Sequence, residues 1–285
     1  MNVGAAAPVA RIVERLTRMT KDEKKFLIDK VPFWFHSIDC GDGVVTNGRK
    51  SLAVLQDELN GLALPSLVGK TVLDIGSWDG FYSFAAEELG ARRVMALDHY
   101  VWSMNLPNQQ KYWETCREQR VVPSAYHLVP GHWEPGALPG KLGFDTVHRI
   151  KCSAVEQLVA DFTQVNLVDV GQFDIVFFLG VLYHLEEPFH ALKRLSLLTR
   201  ELAVIETSAV FVPAVEDVGL FEFYEVDELG HDVGNWFAPN VTGLAKACRA
   251  AGFRNVEVTS AYPPVPNSTA NEEIYRYRLT VHAYK

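Results

Sequence analysis

Hydrophobic residues recur at helical spacing in the first quarter of the chain, from Pro8 to Met19 and again from Leu52 to Leu59. Between these two segments, Thr20 and Glu23 have the spacing of a capping box, which predicts that another short helix begins there. We therefore expect residues 1–68 to form an N-terminal cap that is mainly helical and carries an aromatic segment.

From residue 69 onward the pattern changes to short apolar runs that alternate with helical patterns. The predicted strands are Val72–Ile75, Val94–Leu97, Val155–Ala160, Phe173–Leu179 and Leu202–Glu206, and the predicted helices include Phe81–Leu89 and two that begin at Pro188 and Asn240. This alternation is typical of a doubly wound, mostly parallel sheet. Two closing segments, Val256–Thr259 and Tyr275–Ala283, are predicted to pair antiparallel. We expect residues 69–285 to be an α/β core with inserts at about 99–143 and 208–238, the first of them irregular.

The composition favours a soluble globular protein, because 48% of the 285 residues are hydrophobic and 22% are charged. The net charge of −8 gives no overall attraction to a nucleic-acid backbone or an anionic membrane. No apolar run has the length of a membrane span, and the N-terminus lacks the features of a secretory signal, so we expect a cytoplasmic protein. The four cysteines have no metal-ligand spacing, and no metal site is predicted.

The ends of the predicted strands carry the residues with the clearest chemistry. In an open α/β sheet, ligands bind beyond the carboxyl ends of the strands. Asp74 closes the first strand, and Gly76 and Gly80 flank the turn that follows it, while Asp98 closes the second strand where it can accept both ribose hydroxyls of a nucleoside. Because the turn lacks the full G-x-G-x-x-G pattern, a nicotinamide dinucleotide is disfavoured.

The segment from Thr71 to Phe81 resembles the glycine-rich turn of the class I, Rossmann-like methyltransferases that use S-adenosylmethionine (SAM), although Trp78 stands where many members have a glycine. Asp161-Phe162 is similar to the pair that contacts adenine in this class, and Phe178–His184 is similar to the segment beneath the cofactor. The resemblance implies a Rossmann-like α/β fold with a seven-stranded, mostly parallel sheet, and SAM as cofactor. The cofactor-binding residues that it implies are Asp74, Gly76, Ser77, Gly80, Asp98, His99, Asp161, Phe162, Leu179 and Gly180.

Further segments resemble a narrower family, that of the bacterial carboxymethyltransferase that modifies wobble uridine in tRNA. These segments are Gly180–His184, Glu187-Pro188, Val204–Thr207 and Trp236–Asn240. In that family a carboxylated cofactor is recognised by a lysine before a Pro-Phe pair, by a tyrosine and by a C-terminal arginine, whose nearest positions here are Lys30, Tyr183 and Arg276. Many members of the broader group resemble small-molecule methyltransferases instead, so the resemblance leaves the acceptor open.

The distribution of charge favours a small acceptor over RNA. Between Arg200 and Lys246 there is no lysine or arginine, whereas acidic residues are concentrated at Glu216, Asp217, Glu222, Glu225, Asp227, Glu228 and Asp232. A polyanion placed against this stretch would be repelled. The preferred function is therefore methylation of an oxygen or carbon of a small, partly apolar metabolite, as in natural product biosynthesis. A tRNA wobble-uridine methyl- or carboxymethyltransferase and a non-catalytic SAM-binding protein are the alternatives.

Methylation of a hydroxyl or an activated carbon needs a base, and a neutral histidine is suited to that role. His184 is the first candidate because it follows the predicted cofactor segment, and His36 is the second because it ends the aromatic segment Pro32–His36, a candidate lid. Glu206 and Tyr183 complete the candidate catalytic residues, and each of these side chains also has a purely structural alternative. The amphipathic N-terminal helix is a candidate contact for a homodimer.

Overall fold

The computed structural model describes residues 19–260 and 274–285. Its strands are β1 (Thr71–Ile75), β2 (Arg93–Asp98), β3 (Glu156–Val159), β4 (Phe173–Leu179), β5 (Thr199–Phe211), β6 (Phe221–Phe223), β7 (Phe237–Pro239), β8 (Asn255–Val258) and β9 (Tyr275–Tyr284). Seven of them form a sheet in the order β3-β2-β1-β4-β5-β9-β8, in which the first five pair in parallel and β9 is antiparallel to both of its neighbours. The predicted fold class and the predicted antiparallel closing pair are confirmed.

Helices cover both faces of this sheet. They are α1 (Lys21–Ile28), α2 (Leu52–Gly61), α3 (Phe81–Glu88), α4 (Tyr100–Ser103), α5 (Leu106–Gln119), α6 (Leu142–Lys151), α7 (Leu167–Val170), α8 (Pro188–Leu198) and α9 (Val241–Ala251). The capping box of α1 is present, since the Thr20 hydroxyl accepts the Glu23 N–H at 3.3 Å and the Glu23 carboxylate accepts the Thr20 N–H at 2.8 Å. The helix predicted from Pro8 to Met19, and with it the candidate dimer contact, lies outside the described residues apart from Met19.

The core lies on both sides of the sheet, as β1 illustrates. Val72 and Leu73 point to opposite faces, as successive strand residues do, and both are fully buried. Val72 belongs to a hydrophobic cluster shared with α3, α6 and the cap, whereas Leu73 belongs to a cluster shared with α8 and α9. Burial on both faces explains why the central strands β1 and β4 are largely apolar in the sequence.

The first insert is not irregular as predicted, because it contains the 14-residue helix α5. Only Leu106, Gln109 and Cys116 of this helix are buried, so no apolar stripe marks its inner face in the sequence. The signal that was present is the cap: the side chain of Asn105 accepts a hydrogen bond from the first turn. The N-cap residue therefore indicates helix α5, whereas hydrophobic periodicity does not.

One strand differs from the prediction in extent. Strand β5 continues past Glu206 to Phe211, because β9 pairs with it as far as Tyr275. Helix α8 begins at the predicted Pro188 and buries Leu192, Leu195 and Leu198, whereas Phe189 is 43% exposed and lies under the ammonium group of Lys193 at 4.7 Å. The long β5–β9 pairing is the difference that matters for function, since it carries side chains of β9 to the edge where the other strands end.

Candidate functional site

A cavity of about 1380 Å³ opens at the carboxyl ends of β1, β2 and β4, where an open α/β sheet binds its ligands. All of the predicted cofactor-binding residues except Gly80 line it: Asp74, Gly76, Ser77, Asp98, His99, Asp161, Phe162, Leu179 and Gly180. The candidate catalytic residues line the same cavity: His36, Tyr183, His184 and Glu206. Residues selected from separate parts of the sequence therefore share one site.

The two predicted glycines of the turn after β1 have different roles. Gly76 has a φ of +79°, and a Cβ on it would lie 2.6 Å from Cγ2 of Val181, so the turn passes too close to the end of β4 for a side chain. Gly80 has a φ of +89°, but a Cβ there would meet the rings of Phe84 and Phe144 at 2.5 and 2.8 Å. Gly80 therefore permits close packing at the start of α3. It lies outside the cavity, although the sequence predicted it to be a cofactor-binding residue.

Trp78, the departure from the usual glycine, adopts a φ of +51° and thus keeps the left-handed backbone that favours glycine. Its N–H donates to Asp98 Oδ2 at 2.9 Å, and its carbonyl accepts the indole N–H of Trp102 at 2.6 Å. Its own indole stacks on Phe35 of the cap, with ring centroids 4.1 Å apart and planes 12° apart. The side chain therefore joins the cap to the turn and forms part of the cavity wall.

Two buried carboxyls stand at the ends of β1 and β2. Asp98 also accepts the backbone N–H of Val101 at 3.0 Å, and Asp74 accepts the Ser83 hydroxyl at 2.5 Å. Each is 2% exposed, and burial raises the pKa of each carboxyl to about 6. A cationic or hydroxyl-bearing ligand would stabilise their ionised forms.

The polar atoms of the cavity fit the nucleoside part of SAM. The buried Ser77 hydroxyl has no hydrogen-bond partner among the described residues. Asp161 holds the N–H and the hydroxyl of Thr163 with Oδ1, both at 2.8 Å, and Oδ2 accepts no hydrogen bond from the described part of the chain. Both groups call for a polar ligand. Phe162, in contrast, is only 5% exposed and packs on Phe178 beneath the cavity, with ring centroids 5.4 Å apart.

Asp79 is a site residue that the sequence did not reveal. Its Oδ2 accepts the backbone N–H groups of Phe35 at 3.1 Å and of His36 at 2.8 Å, and its Oδ1 contacts Nδ1 of the His36 ring. Both side chains are buried. The only signal was the position of Asp79 inside the glycine turn, and that position does not identify a partner 43 residues earlier.

Tyr183 and Glu206 meet at Arg278 of β9, which the sequence also did not reveal. The guanidinium group pairs with both carboxylate oxygens of Glu206, donates to Ser208 Oγ at 3.0 Å and lies 4.8 Å from the centre of the Tyr183 ring. Burial raises the pKa of Tyr183, so its phenol stays protonated at neutral pH. Gly180 adjoins these three residues, since a Cβ on it would lie 3.6 Å from Arg278 and 3.7 Å from Tyr183. We call Arg278, Glu206 and Tyr183 the Arg278 cluster.

Two positions suggested by the family resemblance lie elsewhere. Arg276 pairs with Glu222 on β6 and does not line the cavity. Lys30 is exposed, with its ammonium group 4.1 Å from the centre of the Phe26 ring, and does not line the cavity either. A lysine of the cap that does line it is Lys50. Of the three suggested residues, only Tyr183 is at the site.

His184 lies beside the Arg278 cluster, with its ring centroid 4.2 Å from that of Tyr183. Its Nδ1 is 3.0 Å from the carbonyl oxygen of Gly234, and since a carbonyl only accepts, Nδ1 carries the proton. Burial lowers the pKa of the ring, while the charge of Asp232 opposes that shift. His184 is therefore held in the neutral form at neutral pH.

A row of aromatic rings connects the end of β2 to His184. The ring of His99 lies 5.3 Å from Trp133, Trp133 lies 4.8 Å from Tyr126, Tyr126 lies 4.6 Å from Tyr100, and Tyr100 lies 6.1 Å from His184, measured between centroids. All five line the cavity. We call this row the aromatic wall. It lines one side of the cavity with aromatic rings, most of them tilted or edge-on to one another.

In residues 19–260 and 274–285, no three or more His, Cys, Asp or Glu side chains group in a way that could hold a metal ion. No helix in the same ranges has the length and apolar character needed to cross a membrane.

Comparison with known proteins was made by sequence and by structure. No family model matches the chain. It is similar to the tRNA U34 carboxymethyltransferase of Campylobacter hominis, with 25% identity over 193 residues that cover 67% of this chain and 53% of the relative. With the enzyme of the same name from Helicobacter pylori it shares 34% identity over 204 residues, 70% of this chain and 62% of the relative. The chain thus spans little more than half the length of these curated relatives.

The fold has a counterpart among solved structures. The N-terminal domain of EvdMO1, crystallised in the presence of SAH and D-fucose, superimposes with a TM-score of 0.58 at 16% identity, and the match covers 94% of this chain and 98% of that one. The chain therefore has the Rossmann-like fold of the class I SAM-dependent methyltransferases and is similar in sequence to the tRNA U34 carboxymethyltransferases.

Proposed function

We propose that this protein is a SAM-dependent methyltransferase that acts on an oxygen or carbon atom of a small, partly apolar metabolite. The observation that carries the proposal is the continuity of the cavity, which joins the predicted cofactor residues to both candidate histidines and to the aromatic wall. Its volume of about 1380 Å³ exceeds the range of roughly 300–1,000 Å³ that is usual for a single ligand. We infer that the cofactor and an acceptor are held side by side.

In this proposal the cofactor lies along the ends of β1, β2 and β4. Asp98 accepts the ribose hydroxyls, Asp161 faces the adenine with its free Oδ2, and the Ser77 hydroxyl gains its missing partner. When bound, SAM supplies an activated methyl group on a positively charged sulfur. The protein contributes mainly by position, since holding a nucleophile and the methyl carbon in line is worth up to roughly 7–11 kcal/mol of the barrier.

The acceptor is placed against the aromatic wall. Rings such as Trp133 and Tyr126 pack well on a flat apolar molecule, while the neighbouring Arg278 cluster and His184 give it a polar end to bind. A hydroxyl or an acidic carbon of the bound acceptor would be the nucleophile. This arrangement supports a partly apolar acceptor better than a fully charged one.

A second candidate, modification of wobble uridine in tRNA, is supported by the names of the curated relatives. Three observations rank it second. The charge of Arg278 is already neutralised by Glu206, Lys30 lies away from the cavity, and the segment from residue 201 to 245 has no lysine or arginine that could meet a phosphate. A third candidate is a SAM-binding protein without catalytic activity. It would use the same cofactor site as the first two candidates but would transfer no methyl group.

The deciding experiment supplies methyl-labelled SAM to the purified protein together with a cell extract split into RNA and small-molecule fractions. We expect mass spectrometry to find the label in a small molecule and not in RNA. Label in RNA alone would establish the second candidate, and binding without any transfer would leave the third. If calorimetry detects no SAM binding at about tens of micromolar, all three candidates fail.

A further inference from the structure

The contact between His36 and Asp79 joins the cap to the cofactor turn and is the most completely buried acid–imidazole contact at the cavity. His36 is 7% and Asp79 2% exposed. The ring of His36 lies 5.8 Å from Phe81, 6.0 Å from Tyr82 and 6.1 Å from Trp78, between centroids, and so is held on several sides. A ring held in this way has one orientation toward the cavity that it lines.

The hydrogen bonds of Asp79 determine which nitrogen of His36 carries the proton. Asp79 accepts two backbone N–H groups through Oδ2, and its Oδ1 contacts Nδ1 of the ring. An ionised carboxylate can only accept, so Nδ1 is protonated in the neutral ring. Nε2 then carries the lone pair, and no group in the described ranges hydrogen-bonds to it.

His184, the histidine that the sequence ranked first, lacks this support. Its Nδ1 donates to the Gly234 carbonyl, which fixes the same tautomer, but a carbonyl stabilises a positive ring far less than a carboxylate does. Burial also lowers the pKa of His184. A base must hold the proton that it has taken, and the carboxylate beside His36 makes that easier.

We infer that His36 is the general base of the proposed methyl transfer and that Asp79 is its positioning residue. The inference rests on the proposed function. His36 Nε2 takes the proton of the acceptor hydroxyl or acidic carbon, and the electron pair left behind forms the bond to the methyl carbon. The bond between that carbon and sulfur breaks with its electron pair remaining on sulfur, which becomes an uncharged thioether. The proton on Nε2 is afterwards released to water.

NMR of the protein labelled with ¹⁵N-histidine tests the tautomer without any acceptor. The His36 signals are assigned by their loss in His36→Gln. We expect neutral His36 with its proton on Nδ1 in the unmodified protein, and a shift toward Nε2–H in Asp79→Asn, because the introduced amide N–H would face Nδ1. Asp174→Asn is the matched control, since Asp174 likewise accepts a backbone N–H and a hydroxyl, both from Thr71, at the opposite end of the sheet. Proton occupancy on Nε2 in the unmodified protein would overturn the inference, whether or not the Asp79 variant folds.

The second measurement is the rate of label transfer to the small-molecule fraction at saturating SAM. We expect His36→Gln and Asp79→Asn to lower the rate by about 10²–10⁴-fold with SAM affinity unchanged. His282→Gln is the control: His282 is buried and does not itself line the cavity, and glutamine can replace the 2.8 Å bond from its Nε2 to the carbonyl of Leu62. An unchanged rate in His36→Gln would overturn the inference. If the unmodified protein binds SAM but transfers no label, the proposed function fails, while the NMR result still decides the tautomer.

Discussion

Arg278 and Glu206 are 72 residues apart in sequence, and they form a two-point ion pair across neighbouring strands at the cavity wall. Because its carboxylate is paired with Arg278, Glu206 is poorly suited to act as the base that takes a proton from the acceptor. Arg278 is occupied as well, so a second anion would have to compete with a carboxylate that is already in place. This pairing predicts which form of the cofactor the protein accepts.

We expect the protein to bind SAM and carboxy-SAM with similar affinity, because the paired guanidinium offers little net charge to another carboxylate. Glu206→Gln should release Arg278 and favour the carboxylated form by about 10–100-fold, the equivalent of one charge-assisted hydrogen bond of about 1.5–3 kcal/mol. Calorimetry with both compounds measures the ratio. Glu222→Gln, which frees Arg276 outside the cavity, is the control and should leave the ratio unchanged. A strong preference for carboxy-SAM in the unmodified protein would contradict this account.

Asp98→Ala should weaken SAM binding by about 1.5–3 kcal/mol, since it removes an acceptor of the ribose hydroxyls. Asp98 also accepts the N–H groups of Trp78 and Val101, so the variant is expected to unfold at a lower temperature as well. Asp174→Ala provides the comparison, because it loses hydrogen bonds to Thr71 away from the cavity and should lower stability without changing affinity. Equal SAM affinity in the Asp98 variant and the unmodified protein would refute the ribose assignment.

The raised pKa of Asp98 predicts a dependence of stability on pH. Burial raises this pKa from 3.8 to about 6, so the folded protein keeps a proton that the unfolded chain releases. The resulting stabilisation is complete below about pH 4 and is lost as the pH rises through about 6, to a total of at most about 3 kcal/mol. Asp98→Asn has no such proton, so its stability relative to the unmodified protein should rise over this window and then level off. Thermal unfolding of both proteins at several pH values measures the difference, and parallel curves would show that Asp98 keeps an ordinary pKa.

Gly76→Ala should destabilise the protein for two separable reasons. Its positive φ costs roughly 1–2 kcal/mol for any other residue, and the contact with Val181 adds about 1–3 kcal/mol of overpacking. Gly69→Ala isolates the first cost, because Gly69 has a φ of +74° and its added Cβ would meet nothing within 4 Å. In a protein that already carries Val181→Ala, Gly76→Ala should lower the free energy of unfolding by no more than Gly69→Ala does in the unmodified protein. Denaturant unfolding of the unmodified protein and the four variants gives these values, and a cost unaffected by Val181 would place the strain elsewhere.

The sequence was sufficient for the fold and for the side of the sheet where ligands bind. β4 begins and ends at its predicted residues, Phe173 and Leu179, since Ile175–Leu179 is an uninterrupted apolar run that ends at Gly180. Strand ends could be located in this way, so the residues attached to them could be located too. Helix α5 was missed for the opposite reason, because its few buried positions form no stripe.

The sequence could not show which side chains of distant segments contact each other. Arg276 and Arg278 are two residues apart on β9 and therefore lie on the same face, so alternation cannot separate them. Their register with β5, where Arg278 stands opposite Ser208 and Arg276 opposite Val210, decides that Arg278 reaches the cavity. Asp79 presents the same difficulty, because its partner lies in the cap and no periodic pattern connects the two.

The strand order also has a consequence for how the protein is made. In the described sheet β8 has β9 as its only neighbour, although β8 is synthesised first. On the ribosome this edge strand therefore stays without a partner until residues 275–284 emerge, and the same residues bring Arg278 to Glu206. Completion of the sheet and neutralisation of the Glu206 charge are thus a single late event. A nascent chain stalled just after β8 would expose both an unpaired strand edge and an unfinished cavity, which makes it a natural substrate for chaperones.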